Sequence, residues 1–316
     1  MSRPHILVVS NPPPIFLAPL QAEFVVHERL HSTDPAAFAK VAPLIRGIAG
    51  GGESLVRAEL MGQLPSLEIV SIMGVGYDGV DVDAAINRRI VVTHTPNVLN
   101  DEVADLAMGL MLSVARRIPQ ADSYVRSGRW ATEGSMPLAR KVSGARLGIV
   151  GLGRIGQAIA DRAAAFGMSI AYTARGAKPG LAYPFYATAL ALAAQVDFLV
   201  VITPGGSATL HMINAEVLKA LGPHGYLINV ARGSVVDEAA LVDALENGVI
   251  AGAALDVFEK EPHPLEALYK LDNVVLTPHM ASATHQTRQA MADLAVDNLK
   301  AHFSGLPALT PVPECG

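Results

Sequence analysis

A strand, glycine loop and helix in the middle of the chain constrain its fold more than any other feature. Residues 146–150 predict a buried strand, and Gly151, Gly153 and Gly156 follow it with Gly-x-Gly-x-x-Gly spacing before a helix predicted over 154–166. The first glycine of such a turn closes it, the second lets a pyrophosphate approach the backbone, and the third lets helix and strand pack closely. The helix N-terminus then binds the phosphates. The segment predicts a dinucleotide-binding α/β domain.

The remaining sequence is long enough for a second domain of the same kind. The chain has 316 residues, 51% hydrophobic and 17% charged, which suggests about two domains with sizeable cores. Short apolar runs alternate with helical patterns on both sides of the glycine loop, as parallel α/β sheets require. The sequence therefore predicts two open α/β domains.

Charge and composition exclude several classes of function. The formal net charge is −5 and no run of basic residues is long enough to bind a nucleic acid. The apolar stretches are shorter than the roughly 20 residues needed to span a membrane, and the N-terminus lacks a signal-peptide core. A single cysteine, Cys315, is typical of a reducing compartment. No His/Cys cluster has zinc-ligand spacing. We expect a cytoplasmic protein that binds no nucleic acid, membrane or metal.

A long helix predicted over 101–117 is apolar on nearly every face. Asn100 or Asp101 can cap it, and Pro119 is expected to close it. A helix with this pattern is buried, either inside one chain or between subunits. We expect it to form the core of a homodimer.

The end of the strand predicted over 169–173 indicates which dinucleotide binds. An acidic residue there would bind a free ribose 2′-hydroxyl, but the sequence reads Thr173-Ala174-Arg175-Gly-Ala-Lys178. Arg175 can pair with a phosphate dianion and Lys178 adds a second positive charge. The sequence predicts NADP(H) rather than NAD.

Ionisable residues stand at the ends of three later strands. Arg232, Asp256, Glu261 and His279 follow apolar runs that end at Asn229, Leu255 and Leu276. In an open parallel sheet, ligands bind beyond the carboxyl ends of the strands. We therefore expect these four side chains to face the nicotinamide.

These motifs together resemble those of the D-isomer-specific 2-hydroxyacid dehydrogenase family, and among its members the NADPH-dependent glyoxylate/hydroxypyruvate and hydroxyphenylpyruvate reductases. The resemblance spans residues 47–311 and is carried by the motifs at 74–78, 151–156, 229–233, 255–262 and 277–279. It implies two Rossmann-like or flavodoxin-like parallel-sheet domains with a cleft between them. Residues 1–97 and 285–316 would form the substrate-binding domain, and residues 98–284 the dinucleotide-binding domain.

The resemblance implies a catalytic set of Arg232, Glu261 and His279. His279 would donate a proton to the carbonyl oxygen of a 2-oxo acid, because imidazole titrates near physiological pH. Glu261 would orient the ring and stabilise the imidazolium, while Arg232 would hold the substrate carboxylate and polarise the carbonyl. Glu259 is close enough in sequence to be mistaken for Glu261, but the family places the acid directly before the proline. Asp256 is expected on the cofactor side.

The resemblance also implies wider binding sets. The substrate carboxylate would meet the Val75 and Gly76 amides, with Gly51 and Gly52 on a second wall, although these glycines could also be a flexible loop. Trp130 would either reach the partner subunit's active site or pack in the interface. The expected cofactor contacts are Gly151, Leu152, Gly153, Arg154, Ile155, Gly156, Thr173, Ala174, Arg175, Lys178, Thr203, Pro204, Val230, Ala231, Arg232, Asp256, His279 and Ser282.

Two questions of function stay open at the level of sequence. The leading prediction is an NADP-dependent D-2-hydroxyacid dehydrogenase that reduces glyoxylate or hydroxypyruvate; hydroxyphenylpyruvate or phenylpyruvate is the alternative substrate. A non-catalytic dinucleotide-sensing protein is the alternative of another class, disfavoured by the presence of Arg232, Glu261 and His279. The glycines at 50–52 leave little side-chain bulk, which favours tolerance of larger 2-oxo acids.

Overall fold

A computed structural model describes residues 3–315, and these residues form two compact α/β units. The first unit comprises residues 1–99 and 283–316, and the second comprises residues 100–282. Every strand pairing in both sheets is parallel. The predicted pair of parallel-sheet α/β domains is confirmed.

The first unit contains a sheet of five strands in the order β2-β1-β3-β4-β5. Its buried strand residues are mostly Ile, Leu and Val, as expected where helices cover both faces of a parallel sheet. Its elements up to residue 93 are β1 (His5–Val8), α1 (Pro14–Glu23), β2 (Val25–Glu28), α2 (Leu30–Thr33), α3 (Pro35–Val41), β3 (Ile45–Gly51), α4 (Ala58–Gly62), β4 (Ile69–Met73), α5 (Val82–Asn87) and β5 (Val91–Thr93).

The second unit contains six strands in the order β11-β10-β9-β8-β6-β7. Its elements are α6 (Asn100–Arg116), α7 (Ile118–Arg126), α8 (Arg129–Glu133), β6 (Arg146–Val150), α9 (Arg154–Ala165), β7 (Ser169–Thr173), α10 (Ala189–Ala193), β8 (Phe198–Val201), α11 (Ala215–Leu221), β9 (Tyr226–Asn229), α12 (Glu238–Glu246), β10 (Gly252–Leu255) and β11 (Val274–Leu276). The chain then returns to the first unit in α13 (His285–Phe303), which packs on β4. No helix within residues 3–315 combines the length and apolar character needed to cross a bilayer.

The outer edge of β7 carries a further parallel bridge between Tyr172 and Phe185. With the Phe185 segment counted as a short third strand, the order from that edge becomes 3-2-1-4-5-6-7. Its first six positions match the Rossmann order, in which the order of successive strands reverses beside the first strand. Here that point lies between β6 and β8, directly above the glycine loop.

The apolar stripe of the long helix α6 is buried inside its own unit, and a place for this helix in a dimer core stays a prediction. Its apolar residues pack against α9 and strands β9, β10 and β11, and Arg162 of α9 pairs with Asp101 and Asp105 on its exposed side. Because the unit's own sheet covers the apolar stripe, little of it is left for a second chain. Its buried residues are Val103, Ala104, Ala107, Met108, Leu110, Met111, Val114 and Ala115.

Pro119 begins a helix rather than closing one. Helix α6 ends at Arg116, Arg117 adopts a φ of 54°, and Pro119 occupies the first turn of α7. A proline fits a first helical turn because that amide has no intrahelical acceptor. The left-handed Arg117, which the sequence does not signal, is what ends α6.

Candidate active site

Three neighbouring strands bring the predicted ionisable residues to one edge of the second sheet. β9, β10 and β11 are adjacent and parallel, with Asn229 opposite Leu255 and Leu255 opposite Leu276. Their carboxyl ends therefore lie side by side, and the segments that follow carry Arg232, Glu261 and His279. This edge is where an open α/β sheet binds its ligand.

His279 and Glu261 form a hydrogen-bonded pair at this edge. His279 Nδ1 lies 2.7 Å from Glu261 Oε2, and the two side chains are 39% and 31% exposed. Phe258 donates its backbone N–H to the other carboxylate oxygen, Oε1, at 3.0 Å. With Nδ1–H donating to the carboxylate, Nε2 is the ring nitrogen left to exchange a proton with a substrate.

The environment of Glu261 keeps its carboxyl ionised. Burial by itself would raise the pKa of Glu261, but the hydrogen bond and charge of His279, the Phe258 amide and the charge of Arg232 together lower it. A carboxylate that stays negative at neutral pH can stabilise a neighbouring imidazolium. The pair therefore has the electrostatics of an acid–base catalyst with an orienting partner.

Asn229 shapes the loop that carries Arg232. Its side-chain amide donates to the Arg232 carbonyl at 3.0 Å, and its side-chain oxygen accepts the Ala231 N–H at 3.1 Å. Arg232 Nη1 donates to the Ala231 carbonyl at 2.8 Å, and the guanidinium is close enough to Glu261 to lower the pKa of that carboxyl. The loop thus places a partly exposed cation beside the His279–Glu261 pair.

Asp256 holds the turn on which His279 stands. It is fully buried, and its carboxylate accepts Thr277 Oγ1–H at 2.6 Å and the Met280 and Ala281 amides at 2.8 and 2.9 Å. His279 has a φ of 49°, a left-handed conformation that is strained for a residue with a side chain. The observed role of Asp256 is to stabilise this turn, and its contact with a cofactor stays a prediction.

The glycine loop has the backbone geometry of a dinucleotide turn. Gly151 has a φ of 100°, and a Cβ there would lie 2.7 Å from the Ile202 carbonyl oxygen. A Cβ on Gly156 would overlap the Gly151 carbonyl, whereas Gly153 faces open space at the start of α9. The loop therefore leaves room for a bound group at Gly153 and is tightly packed on either side.

The loop after β7 exposes two positively charged side chains, and the buried Tyr172 hydroxyl bonds its backbone. Arg175 and Lys178 are exposed, and within the described residues no hydrogen bond or ion pair engages either side chain. Tyr172 is 1% exposed, and its hydroxyl accepts the Lys178 N–H at 2.7 Å. Its backbone bonds to Pro184 and Tyr186 on the far side of the loop. Sequence reasoning missed Tyr172, whose aromatic character indicated only strand.

The other predicted cofactor contacts lie at the same edge of the sheet, but not all of them are accessible. Thr203 and Pro204 follow β8 and are partly or fully exposed, and Thr173 ends β7 with 6% exposure. The partly exposed members are Ala174, Ile155 and Ser282, and Arg154 is exposed. The buried members, which can offer only backbone atoms, are Leu152, Val230 and Ala231.

The predicted substrate turns lie next to each other in the first unit. Gly51 is the last residue of β3 and pairs with Met73 of β4, so residues 51–52 and 75–76 leave the sheet side by side. A Cβ on Gly74 would lie 2.9 Å from the Cα of Gly52. Gly50 and Gly51 belong to a strand, so the flexible-loop interpretation does not apply to them.

His94 fixes the second of these turns and was missed by sequence reasoning. It follows the end of β5 and its Nδ1 lies 2.9 Å from the Val75 carbonyl oxygen. The Thr310 hydroxyl donates to the His94 carbonyl, and buried Asn298 bonds Thr310. Its position directly after a strand was the signal that could have identified it.

Trp130 is 63% exposed on α8, beside an Arg129 guanidinium that stacks on Tyr124. Val125 and Leu138 in the same stretch are 55% and 101% exposed. The surface formed by residues 118–138, named here the arm surface, therefore shows several large apolar side chains that no part of the described chain covers.

Comparison with known proteins identifies the family of the chain. Residues 108–281 match the model of the D-isomer specific 2-hydroxyacid dehydrogenase NAD-binding domain. The chain is 51% identical to hydroxyphenylpyruvate reductase of Plectranthus scutellarioides, over 89% of this chain and 90% of that protein. It is 51% identical to a glyoxylate/hydroxypyruvate reductase of Arabidopsis thaliana, over 85% of each chain.

A solved structure is similar over nearly the whole length. The NADPH-dependent glyoxylate/hydroxypyruvate reductase of Sinorhizobium meliloti, in complex with NADP and malonate, superposes with a TM-score of 0.93 at 52% identity, covering 99% of this chain and 98% of that one. The resemblance inferred from the motifs is confirmed. The chain belongs to the D-isomer specific 2-hydroxyacid dehydrogenase family.

Proposed function

We propose that the protein reduces a small 2-oxo acid to the corresponding D-2-hydroxy acid with NADPH. The observation that carries the proposal is the His279–Glu261 pair, 2.7 Å apart, at the carboxyl edge of a sheet that also presents a dinucleotide turn. Such a pair supplies a proton donor at the place where a nicotinamide would bind. When bound, NADPH would supply the hydride.

His279, Glu261 and Arg232 supply the proton, orient its donor and bind the substrate carboxylate. His279 Nε2–H donates a proton to the carbonyl oxygen as negative charge develops there. Glu261 holds the ring by Nδ1 and stabilises its cationic form before the transfer. Arg232 binds the substrate carboxylate and polarises the carbonyl through the positive charge of its planar guanidinium.

The second unit is suited to NADPH rather than NADH. Gly153 is open at the N-terminus of α9, where backbone amides and the helix dipole favour a pyrophosphate. Arg175 and Lys178 are unpaired within the described residues, and no acidic side chain stands at the end of β7. A 2′-phosphate would find two cations there, and the Sinorhizobium meliloti relative was solved with NADP.

We assign substrate binding to a domain of residues 1–97 with 285–316, bounds close to those of the first unit, and cofactor binding to residues 98–284. The Val75 and Gly76 amides would bind the substrate carboxylate, with Gly51 and Gly52 opposite. The relatives named as glyoxylate/hydroxypyruvate reductases favour those two substrates. The hydroxyphenylpyruvate reductase of Plectranthus scutellarioides supports a larger aromatic 2-oxo acid as the second candidate.

We further propose a cytoplasmic homodimer. The arm surface groups several exposed apolar side chains of the second unit in one stretch, with Leu138 101% and Trp130 63% exposed. Burial of such side chains against a second chain is favourable by about 25 cal/mol per Å². The single cysteine fits a reducing compartment.

Steady-state rates on four 2-oxo acids test the proposal. NADPH oxidation is followed with glyoxylate, hydroxypyruvate, phenylpyruvate and hydroxyphenylpyruvate, and NADH serves as the comparison cofactor. We expect turnover with NADPH and the highest kcat/KM for glyoxylate or hydroxypyruvate. The highest kcat/KM for an aromatic acid would replace the leading substrate, and NADPH binding without turnover of any of them would favour a dinucleotide sensor.

A further inference from the structure

A buried acid, Glu238, joins the loop that carries Arg232 to the loop that carries Glu261. It is the first residue of α12 and is 3% exposed. Its Oε1 accepts the Glu259 N–H at 2.6 Å, and its own N–H donates to Glu259 Oε1 at 3.3 Å. Glu238 therefore holds the backbone at Glu259, two residues before Glu261.

Gly233 shows how closely these two loops pack. A Cβ at Gly233 would overlap the carbonyl group of Phe258 and the backbone nitrogen of Glu259. The backbone after Arg232 thus lies directly against the backbone just before Glu261. Because the Phe258 N–H also donates to the Glu261 carboxylate, any shift of this backbone would move the carboxylate as well.

His211 adds a third loop to the contact. Its ring Nε2 lies 2.8 Å from Glu259 Oε1. Its backbone N–H donates to the Ser234 carbonyl at 2.9 Å. The loops after β8, β9 and β10 are therefore bonded to one another beside the His279–Glu261 pair. Glu259, which the sequence leaves as a rival to Glu261, takes part in this bonding.

We propose that Glu238 is a positioning residue for the reduction: it fixes the backbone at residues 258–259 so that Glu261 orients His279. The inference rests on the proposed function. Burial, with repulsion from Glu259 and Glu261, raises the pKa of Glu238, whereas the Glu259 and Leu265 amides favour its ionised form. A buried acid among other acids is costly unless it is bonded, and its bonds here end on the backbone of the catalytic turn.

The proposal predicts that replacing Glu238 lowers kcat and leaves the affinity for NADPH unchanged. Within residues 3–315, no hydrogen bond joins Glu238 to the glycine loop or to the Arg175–Lys178 loop, so the affinity for NADPH should not change. A proton donor misplaced by about 1 Å can cost on the order of a hundredfold in rate. The loss should therefore appear in kcat, and proton transfer should become more strongly rate-limiting.

The experiment compares Glu238→Ala and Glu238→Gln with the full-length wild-type chain. Glu246→Ala is the matched control, because Glu246 is an exposed glutamate at the other end of the same helix. The measurements are kcat and KM with NADPH and glyoxylate or hydroxypyruvate, the NADPH dissociation constant, and the solvent deuterium isotope effect on kcat. We expect kcat to fall about tenfold to a hundredfold in Glu238→Ala and less in Glu238→Gln, which keeps an acceptor oxygen.

Supporting results are an unchanged NADPH dissociation constant, a larger solvent isotope effect in Glu238→Ala, and wild-type kinetics in Glu246→Ala. An unchanged kcat in Glu238→Ala, or a loss of NADPH affinity parallel to the loss of kcat in both Glu238 variants, would overturn the proposal. If the wild-type chain reduces no 2-oxo acid, the proposed function fails separately. A crystal structure of Glu238→Ala then decides the positioning role, because an intact His279–Glu261 bond would refute it.

Discussion

At the residue scale, His279 is the proposed proton donor and also has a left-handed backbone conformation that neighbouring groups stabilise. Its φ of 49° belongs to a region that costs a side-chain-bearing residue roughly 1–3 kcal/mol. The Asp256 carbonyl and carboxylate bind the amides of residues 279–281 and so compensate for this strain. Strain held in this way is typical of functional sites.

His279→Ala should abolish most of the reduction while leaving NADPH binding intact. A general acid contributes about 10²- to 10⁴-fold to a rate, so kcat should fall by a factor in that range. His224→Ala, at an exposed histidine of the same unit, is the control. Kinetics with each variant, together with titration by NADPH, check the prediction, and a His279→Ala protein that keeps its kcat would remove the assigned proton donor.

Arg175→Ala should weaken NADPH selectively. A charge-assisted hydrogen bond contributes about 1.5–3 kcal/mol, so the KM for NADPH should rise at least about tenfold. The KM for NADH should hardly change, because NADH has no 2′-phosphate. Lys219→Ala, at an exposed lysine on α11, should leave both values unchanged. An equal rise in KM for the two cofactors would contradict a contact with the 2′-phosphate.

At the element scale, Asp197 ties the loop before β8 to the start of β6. Its carboxylate accepts the Arg146 N–H at 2.9 Å and pairs with the guanidinium groups of Arg146 and Arg140 at 3.0 and 3.1 Å. The hydrogen bond from Arg146, aided by the Arg140 charge and opposed by burial, lowers the pKa of Asp197. The carboxylate therefore stabilises the amino ends of two neighbouring strands.

Asp197→Asn should destabilise the chain at neutral pH by roughly 1–2 kcal/mol, since the variant keeps one acceptor but loses the charge. A carboxyl whose pKa is lower in the folded than in the unfolded chain stabilises fully above its unfolded pKa. That contribution disappears as the pH falls through the folded value. Thermal unfolding midpoints should differ between variant and wild type from pH 8 to 5 and converge below about pH 4.

Asp161→Asn is the control for this pH series, because Asp161 is exposed on α9 and, within residues 3–315, its carboxylate bonds only the Gln157 side chain. It should lower the midpoint little and with no such pH dependence. A gap between Asp197→Asn and wild type that stays constant down to pH 3 would show that the charge of Asp197 does not stabilise the strands.

At the scale of the whole molecule, the proposed homodimer depends on the arm surface. Leu138 and Val125 are exposed in one chain, whereas the apolar side of α6 is already buried. Exposed apolar side chains grouped in one stretch mark an interaction surface. If two chains bury this surface against each other, as proposed, the assembly is a two-fold dimer.

Light scattering on the eluting protein should give twice the chain mass, and Leu138→Asp combined with Val125→Asp should give the mass of one chain. Leu306→Asp is the control, because Leu306 is 63% exposed but lies in the first unit. A charge placed in a dry interface costs several kcal/mol, enough to dissociate a moderately stable dimer. A wild-type protein that elutes as a single chain would rule out the proposed homodimer.

The sequence by itself determined the features that depend on local pattern. Apolar runs of four to eight residues predicted the parallel strands, and Gly151, Gly153 and Gly156 predicted the turn between β6 and α9. Arg232, Glu261 and His279 could be selected because each follows a strand, and parallel strands end at one edge. The family followed from the spacing of these motifs along the chain.

Only the tertiary structure decided which partner each group has, because contacts between distant segments leave no local pattern. The burial of α6 depends on packing by other elements of its own unit, which cover its apolar side. The last residue of that helix depends on the left-handed backbone of Arg117. Glu238 reads in sequence as an ordinary first-turn acid, yet folding buries it against Glu259, 21 residues away. Local pattern determined the elements and the reactive side chains, and packing determined how those side chains are held.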